Sequence, residues 1–162
     1  MDGASYKLVS NPYRATSDAT MGWMLTTSDP DGRVTGTQYF TGAAQPAPWG
    51  SNNVTTGSST ATYSVNSSIS AGVIGEVTSL TDEASKIRRT TVNGLGQLRQ
   101  VVEDPSGLNY TTTYSYDVAD NLTGVNQSGQ PRTFTYDSLK RLGSATTRRV
   151  GPHSTHTITT AT

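Results

Sequence analysis

A phrase that occurs twice near the C-terminal end constrains the fold of this chain more than any other feature. The stretch TYSYDVADNLTGVNQSGQPRTFTYDSLKRLGSAT, residues 113–146, contains Tyr-Asp twice, and each aspartate is followed by a leucine at plus five. The residues that carry the repetition are Tyr116, Asp117, Leu122, Tyr136, Asp137 and Leu142. A missed repeat means a misassigned fold, so the rest of the chain has to be searched for the same spacing.

The same spacing occurs elsewhere as a polar residue, a small or polar residue at plus three and an aliphatic residue at plus five. We call this the repeat pattern. Its further occurrences are Asp29, Gly32 and Val34; Asp82, Ser85 and Ile87; and Asn93, Gly96 and Leu98. The polar first residue thus recurs at 29, 82, 93, 117 and 137.

Each position of the repeat pattern has a physical role in a β-hairpin. Asp or Asn can accept a hydrogen bond from a backbone N–H two residues on, and glycine at plus three adopts positive φ without steric cost. The aliphatic residue at plus five then begins the returning strand, and the tyrosine before the turn lays its ring on the sheet. One occurrence of the pattern therefore predicts one hairpin.

Composition supports an all-β protein with a thin core. Hydrophobic residues make up 32% of the 162 residues, and Thr, Val and Tyr recur in short runs that favour strands. The 12 basic and 12 acidic residues balance, so no strongly charged partner is indicated. There is no cysteine, hence no disulfide and no thiol chemistry.

The segments YSYDVADNLTGV and FTYDSLKRLGSAT resemble YD repeats, also called Rhs repeats, of bacterial polymorphic toxins, insecticidal toxin complexes and teneurins. The resemblance is strongest over residues 88–146, weaker at SDPDGRVTG and faint over 42–75. It implies successive antiparallel hairpins in a curved, open sheet. In that family the hairpins form a shell that encloses a toxic C-terminal segment, or a large extracellular module, and the repeats themselves are scaffold.

Four regions are predicted on this basis. Residues 1–41 hold degenerate YD-like repeats, and 42–75 form a Gly/Ser/Pro-rich loop or a weak strand pair. Residues 76–146 hold clear YD repeats. Residues 147–162, which lack tyrosine and leucine, form an irregular tail, and we hypothesise that they are translated out of frame. This tail is expected to make no regular ladder with the preceding hairpin.

Candidate chemical sites are weaker than their structural alternatives. His153 and His156 lack a third metal ligand nearby, and GLGQLR lacks the third glycine of a dinucleotide loop. Trp23 and Trp49 are expected to pack on the sheet, with a sugar site as the alternative. The basic run beginning at Lys86 is accompanied by acidic residues, which favours cross-strand ion pairs over a nucleic-acid site.

These observations predict a non-enzymatic scaffold, a truncated fragment of a YD-repeat shell, without cofactor, metal, nucleic-acid partner or membrane span. Its partners would be further YD repeats or an enclosed toxin segment. The alternative is a secreted or surface adhesion or filament module that uses exposed edge strands or carbohydrate contacts. The resemblance implies a secreted or cell-surface location, although no signal peptide is visible. An array with missing neighbours and exposed edges is expected to be marginally stable or aggregation-prone.

Strand positions can be predicted most closely in the clear repeats. Strands are expected at 110–116, 121–126, 131–136 and 140–146, with Asp117 and Asp137 in the turns. Tyr116, Leu122, Tyr136 and Leu142 should share one buried face. The stretch DPSGL, residues 104–108, resembles a short motif that closes some Rhs shells, but the following repeat favours an ordinary turn between strands.

Overall fold

The fold of the chain is an all-β open sheet in a computed structural model that describes residues 3–17, 20–66, 73–148 and 155–159. Within these residues there are twelve strands and no helix. The strands are β1 Ser5–Ser10, β2 Gly22–Ser28, β3 Val34–Thr41, β4 Thr55–Asn66, β5 Gly75–Thr81, β6 Ile87–Val92, β7 Leu98–Glu103, β8 Tyr110–Tyr116, β9 Leu122–Gln127, β10 Gln130–Tyr136, β11 Leu142–Arg148 and β12 Thr155–Thr159. The order of the strands in the sheet is their order in the chain. The predicted all-β fold of successive antiparallel hairpins is therefore confirmed.

The predicted strands of the clear repeats lie within about two residues of those observed. The turn interpretation of DPSGL is also confirmed, because residues 104–109 connect β7 to β8 and the N–H groups of Gly107 and Asn109 both donate to the Asp104 carbonyl. Residues 55–66, for which the sequence left a loop and a strand pair open, form β4.

One expectation about the tail is wrong. Residues 155–159 form β12, which pairs with β11 in regular antiparallel register from Arg148↔Thr155 to Ser144↔Thr159. Alternating threonine, histidine and isoleucine can form a backbone ladder whatever their origin, because ladder hydrogen bonds use main-chain groups. Residues 149–154, with His153, and 160–162 lie outside the described residues.

The described parts of the chain divide into two compact units. The first unit comprises Met1–Thr62 and Ser79–Ile87, and the second comprises Tyr63–Thr78 and Arg88–Thr162. In the first unit the core lies on one face of β2 and β3. Leu25 opposes Leu8 of β1 and Gln38 of β3, and Trp23 opposes Phe40. Leu25 and Phe40 are buried, at 6% and 7% exposure.

The core of the second unit centres on β5, β6 and β7. The buried residues with side chains in its described part are Val77, Thr91, Val101 and Val102. Val101 and Val102 are neighbours in one strand, so their side chains point to opposite faces and both faces of β7 are covered. In β4 and β5, Val77 is buried, Tyr63 is half-buried, and Val65 and Leu80 are exposed.

Candidate functional site

The five turns of the repeat pattern share one hydrogen-bond arrangement. In each, the side-chain Oδ1 of the first residue accepts the backbone N–H groups of the residues at plus two and plus four, over 2.8–3.1 Å. The N–H of the first residue also donates to the carbonyl at plus four, and the N–H at plus three donates back to its carbonyl. The first residues are Asp29, Asp82, Asn93, Asp117 and Asp137. Four backbone N–H groups and two backbone carbonyls are therefore satisfied without any contact outside the turn.

The residue at plus three has positive φ in all five turns. The values are 81° for Gly32, 60° for Ser85, 80° for Gly96, 67° for Asp120 and 61° for Lys140. A tight turn followed by one residue in the left-handed region is the three-residue hairpin loop, in which the last residue forms a bulge. Glycine meets this requirement at two of the positions, and side chains adopt it at the other three.

Ser85→Gly is expected to raise the free energy of unfolding by about 0.5–1 kcal/mol, because glycine removes the Cβ that disfavours positive φ. Urea unfolding of the variant and of the parent chain measures the difference. Ser85→Ala is the control, since it keeps the Cβ and removes only the hydroxyl. Equal stabilisation by alanine and glycine would contradict a backbone origin.

The residue at plus five is the first residue of the returning strand in every case. Val34, Ile87, Leu98, Leu122 and Leu142 begin β3, β6, β7, β9 and β11. In the four hairpins with a described register, it opposes the residue that precedes the turn, as in Tyr116↔Leu122 and Tyr136↔Leu142. The tyrosine of each clear repeat thus lies directly across from its leucine.

The residue at plus four contributes a tether that sequence reasoning missed. The Nε of Arg33 donates to Oδ2 of Asp29 at 2.8 Å, and the Nε of Arg141 donates to Oδ2 of Asp137 at 2.7 Å. In the turn of Asp117 the same bond comes from the amide of Asn121, at 2.8 Å. The signal was present in the sequence, since every plus-four residue carries a side-chain N–H donor: Arg33, Lys86, Gln97, Asn121 and Arg141.

These hydrogen bonds hold the turn carboxylates in the charged form. Desolvation raises the pKa of Asp29, but the guanidinium and backbone N–H of Arg33, with the N–H of Asp31, lower it by more, so the pKa lies below its ordinary value. The amide of Asn121, followed by its backbone N–H, lowers the pKa of Asp117. For Asp137, the backbone N–H and then the side chain of Arg141 lower the pKa.

Stability is expected to fall in acid because of these three carboxylates. The folded-state pKa values of these carboxylates lie below the unfolded value of about 3.9, so the unfolded chain binds more protons in acid than the folded chain does. The stabilisation that they contribute is complete above about pH 5 and is lost as the pH falls through the folded-state pKa values. Urea unfolding of the parent chain and of Asp29→Asn/Asp117→Asn/Asp137→Asn, at neutral and acid pH, measures the effect. The triple variant should lose less stability on acidification, because Asn93 shows that an amide satisfies the same turn. An equal loss in both chains would refute this origin.

Neighbouring turns of the second unit are tied to one another. The turns at 93–97, 117–121 and 137–141 lie at the same end of the antiparallel strands β6–β11. Nε2 of Gln97 donates to Oδ1 of Asp120 at 2.6 Å, and Nζ of Lys140 donates to the carbonyl of Ala119 at 2.8 Å. Side chains of the repeat pattern therefore fix each hairpin and also link it to the next.

The tyrosine and leucine residues of the clear repeats share one face. Val125 of β9 opposes Tyr114 of β8 and Arg132 of β10. Side chains alternate along a strand, so residues separated by two or four positions lie on the same face. Tyr116, two residues after Tyr114, and Tyr136, four residues after Arg132, therefore lie on the face of Val125. Including the cross-strand partners, this face contains Tyr116, Leu122, Tyr136 and Leu142.

Burial on this face is uneven. Tyr116, Leu122 and Tyr136 are half-buried, whereas Leu142 is 41% exposed, so the expected burial is not met there. The described part of β12 ends opposite Ser144, which leaves Leu142 flanked by a described strand on one side only. Desolvation raises the pKa of the Tyr116 hydroxyl, and the negative charge of Asp120, the second largest cause, raises it further.

Other candidate residues lie apart from the turns. Trp23 is half-buried and its Nε1–H donates to the carbonyl of Ala43 at 3.1 Å, whereas Trp49 is 47% exposed. Arg88 pairs with Glu103 across the strands, with Nε 3.1 Å from Oε1, as expected for a cross-paired sheet face. No group of three or more potential metal ligands occurs among the described residues. The side chain of His156 lies outside the described part of the chain.

A cavity of about 440 Å³ lies in the first unit, at the ends of β2 and β3 away from the Asp29 turn. Its walls include Trp23, Tyr39 and Phe40, with Asn11 and Glu83 at polar positions. Apart from Trp23, none of these residues was singled out from the sequence as part of a ligand site.

Comparison with known proteins identifies the central repeats. The family model for the RHS Repeat matches residues 92–128, which run from the end of β6 to the end of β9 and include the turns of Asn93 and Asp117. No curated protein matches the chain. In the described residues, no helix has the length and apolar character needed to cross a membrane. Residues 92–128 are therefore similar to the RHS Repeat, which agrees with the resemblance seen in the Tyr-Asp phrase at 116–117.

Proposed function

We propose that this chain is a non-enzymatic scaffold, a segment of wall in an RHS-repeat shell that encloses a C-terminal toxin or forms part of an extracellular module. The observation that carries the proposal is the arrangement of the turns. Five of them satisfy their own backbone groups, and those at 93–97, 117–121 and 137–141 are also linked laterally through Gln97 and Lys140. This arrangement suits an array in which each hairpin contacts its neighbours.

The polar groups of the turns support a structural role over a catalytic one. A general base or nucleophile needs an acceptor that is available to substrate. The carboxylates of Asp29, Asp117 and Asp137 instead accept two backbone N–H groups and one side-chain N–H group each. Their lowered pKa values keep them as charged acceptors within the turn.

A surface adhesion or filament module is the second candidate. It is favoured by the 47% exposure of Trp49, since an exposed indole ring is a common contact for partners, and by the position of β1 at the end of the sheet. An edge strand presents unpaired N–H and C=O groups that another chain can pair with. In this role the partners would be further copies of the chain or carbohydrate.

Sedimentation velocity over a wide range of protein concentration separates the two candidates. A scaffold segment should remain monomeric or aggregate without a defined stoichiometry. Discrete oligomers that grow with concentration would favour edge-to-edge assembly and count against the scaffold. Binding on a glycan array that is lost in Trp49→Ala would favour adhesion.

The gene provides an independent test of the shell. Adjoining reading frames that encode further YD repeats and a toxin-like segment are expected if the chain is part of such a shell. Their absence would remove the proposed partners, namely the neighbouring repeats and the enclosed segment.

A further inference from the structure

Three side chains form a continuous run of hydrogen bonds between two neighbouring turns of the second unit. Nδ2 of Asn93 donates to Oε1 of Gln97 at 2.8 Å, and Nε2 of Gln97 donates to Oδ1 of Asp120 at 2.6 Å. Asn93 and Gln97 are the first and plus-four residues of one turn, and Asp120 is the plus-three residue of the next. We call these two hydrogen bonds the amide relay.

The chemistry of its two ends fixes the direction of the amide relay. A carboxylate has only acceptor oxygens, so Asp120 requires the Nε2 end of the Gln97 amide. Oε1 of Gln97 then faces Asn93 and requires a donor there. Asn93 supplies this donor through Nδ2, because its Oδ1 already accepts the backbone N–H groups of Leu95 and Gln97, both at 3.0 Å. The relay therefore depends on an amide at position 93, where the other four turns have aspartate.

An aspartate at position 93 would keep the turn closed and release the relay. At Asp117, Oδ1 accepts the same two backbone N–H groups at 2.8 and 2.9 Å, and the plus-four amide of Asn121 donates to Oδ2 at 2.8 Å. Nε2 of Gln97 would donate to a carboxylate at position 93 in the same way, since Oε1 cannot face a second acceptor. Gln97 would then no longer donate to Asp120.

The residue after Asn93 makes this side chain chemically reactive. Asn93 is the one asparagine of the sequence that precedes a glycine. A backbone nitrogen can attack the side-chain carbonyl carbon of a preceding asparagine, and glycine hinders this attack least because it has no Cβ. Gly94 is exposed, and a Cβ added there would meet no heavy atom within 4 Å. Within residues 93–97, the N–H of Gly94 is the one that the turn does not use.

We propose that Asn93 is a site of non-enzymatic deamidation, and that its conversion to an acid releases the link between the turns at 93–97 and 117–121. The turn at 93–97 itself stays closed in the aspartate product. The proposal goes beyond the scaffold role and does not depend on it, because both turns lie in one chain and the reaction needs only water.

The reaction balances with groups of the turn and solvent. The nitrogen of Gly94 gives its proton to hydroxide and bonds to Cγ of Asn93. The bond between Cγ and Nδ2 breaks, Nδ2 takes a proton from water and leaves as ammonia, and a cyclic imide remains. Negative charge develops on Oδ1 during the attack, and the N–H groups of Leu95 and Gln97 already donate to that atom. Water then opens the imide to aspartate or isoaspartate, and neither product retains the amide donor.

The first test follows the side-chain amides of the full chain, kept folded in mildly alkaline buffer. Peptide mass spectrometry should detect the acid at position 93 before it appears at any other asparagine. Gly94→Ala should slow the conversion severalfold, because the added Cβ hinders attack by the nitrogen and has space in the turn. Conversion no faster at Asn93 than at Asn109 or Asn126, or an equal rate in Gly94→Ala, would overturn the proposal.

The second test measures the link by a double-mutant cycle of Gln97→Ala and Asp120→Gly, since glycine suits the φ of 67° at Asp120. The coupling between the two changes, measured by urea unfolding, should be about threefold to tenfold in the equilibrium constant of unfolding. The same cycle in Asn93→Asp, which has the sequence of the aspartate product, should show no coupling. Coupling that persists in Asn93→Asp, or that is absent from the parent chain, would overturn the proposal.

Leu95→Asp is the matched control for the added charge. Leu95 lies in the same turn and is 83% exposed, so an aspartate there adds the same charge and leaves the amide of Asn93 in place. The coupling between positions 97 and 120 should survive in this variant. Equal loss of coupling in Asn93→Asp and Leu95→Asp would assign the effect to charge alone and overturn the proposal. A cooperative unfolding transition in each variant verifies that it is folded.

Discussion

Leu25→Ala is expected to lower the free energy of unfolding by about 2–4 kcal/mol, through lost apolar contact and the cavity left behind. Leu25 is 6% exposed, in the central strand of the β1–β2–β3 set, opposite Leu8 and Gln38. A small protein is stable by only about 5–15 kcal/mol, so a large share of the total would be lost. Chemical unfolding followed by circular dichroism measures the change.

Leu95→Ala is the matched control for that experiment. Leu95 is 83% exposed within the turn of Asn93, so the same change of side chain removes little buried surface. Its effect should remain within about 0.5 kcal/mol. Comparable losses in the two variants would mean that the β2 face is not the core of the first unit.

Gly75→Ala is the second large effect, with an expected loss of about 3 kcal/mol or more. A Cβ at Gly75, the first residue of β5, would lie 2.0 Å from the carbonyl oxygen of Val92 and 2.7 Å from its carbonyl carbon. Both contacts are to backbone, so no side-chain rotation can relieve them. The strand start or the end of β6 would have to move, which disturbs the ladder beside the buried Thr91.

Gly94→Ala controls for the loss of a glycine as such. A Cβ at Gly94 would meet no heavy atom within 4 Å, and its φ is not in the left-handed region. The replacement should be neutral or stabilising by up to about 1 kcal/mol. If Gly75→Ala were as well tolerated as Gly94→Ala, the close approach of β5 to Val92 would be wrong.

The turn chemistry gives the proposed scaffold a clear physical basis. Each hairpin of the repeat pattern is closed by groups within five consecutive residues, so it can be repeated along a chain with little dependence on what precedes it. Links such as Gln97 to Asp120 then set one hairpin against the next. A thin apolar face suffices in such a design, because local hydrogen bonds and nearest-neighbour contacts carry the order.

The sequence predicted the parts of the fold that depend on residues close together in the chain. The turns at Asp117 and Asp137 and the four strands around them followed from the spacing of Tyr, Asp and Leu. The tether at plus four could have been read in the same way, from the N–H donors at Arg33 and Asn121. The ladder of β12 was not predicted, because its polar residues carry no periodic apolar signal and its pairing is made by main-chain groups.

By itself, then, the sequence determined where this chain reverses direction and which residue begins each returning strand. Those features depend on hydrogen bonds and φ preferences inside a few consecutive residues. Leu122 and Leu142 both occupy plus five, but only the tertiary structure decided how deeply each is buried. The tertiary structure also decided that the carboxylate of Glu83 lies over Gly57. Burial and the meeting of distant residues depend on which strands flank a position, and neighbouring strands are supplied by other parts of the chain.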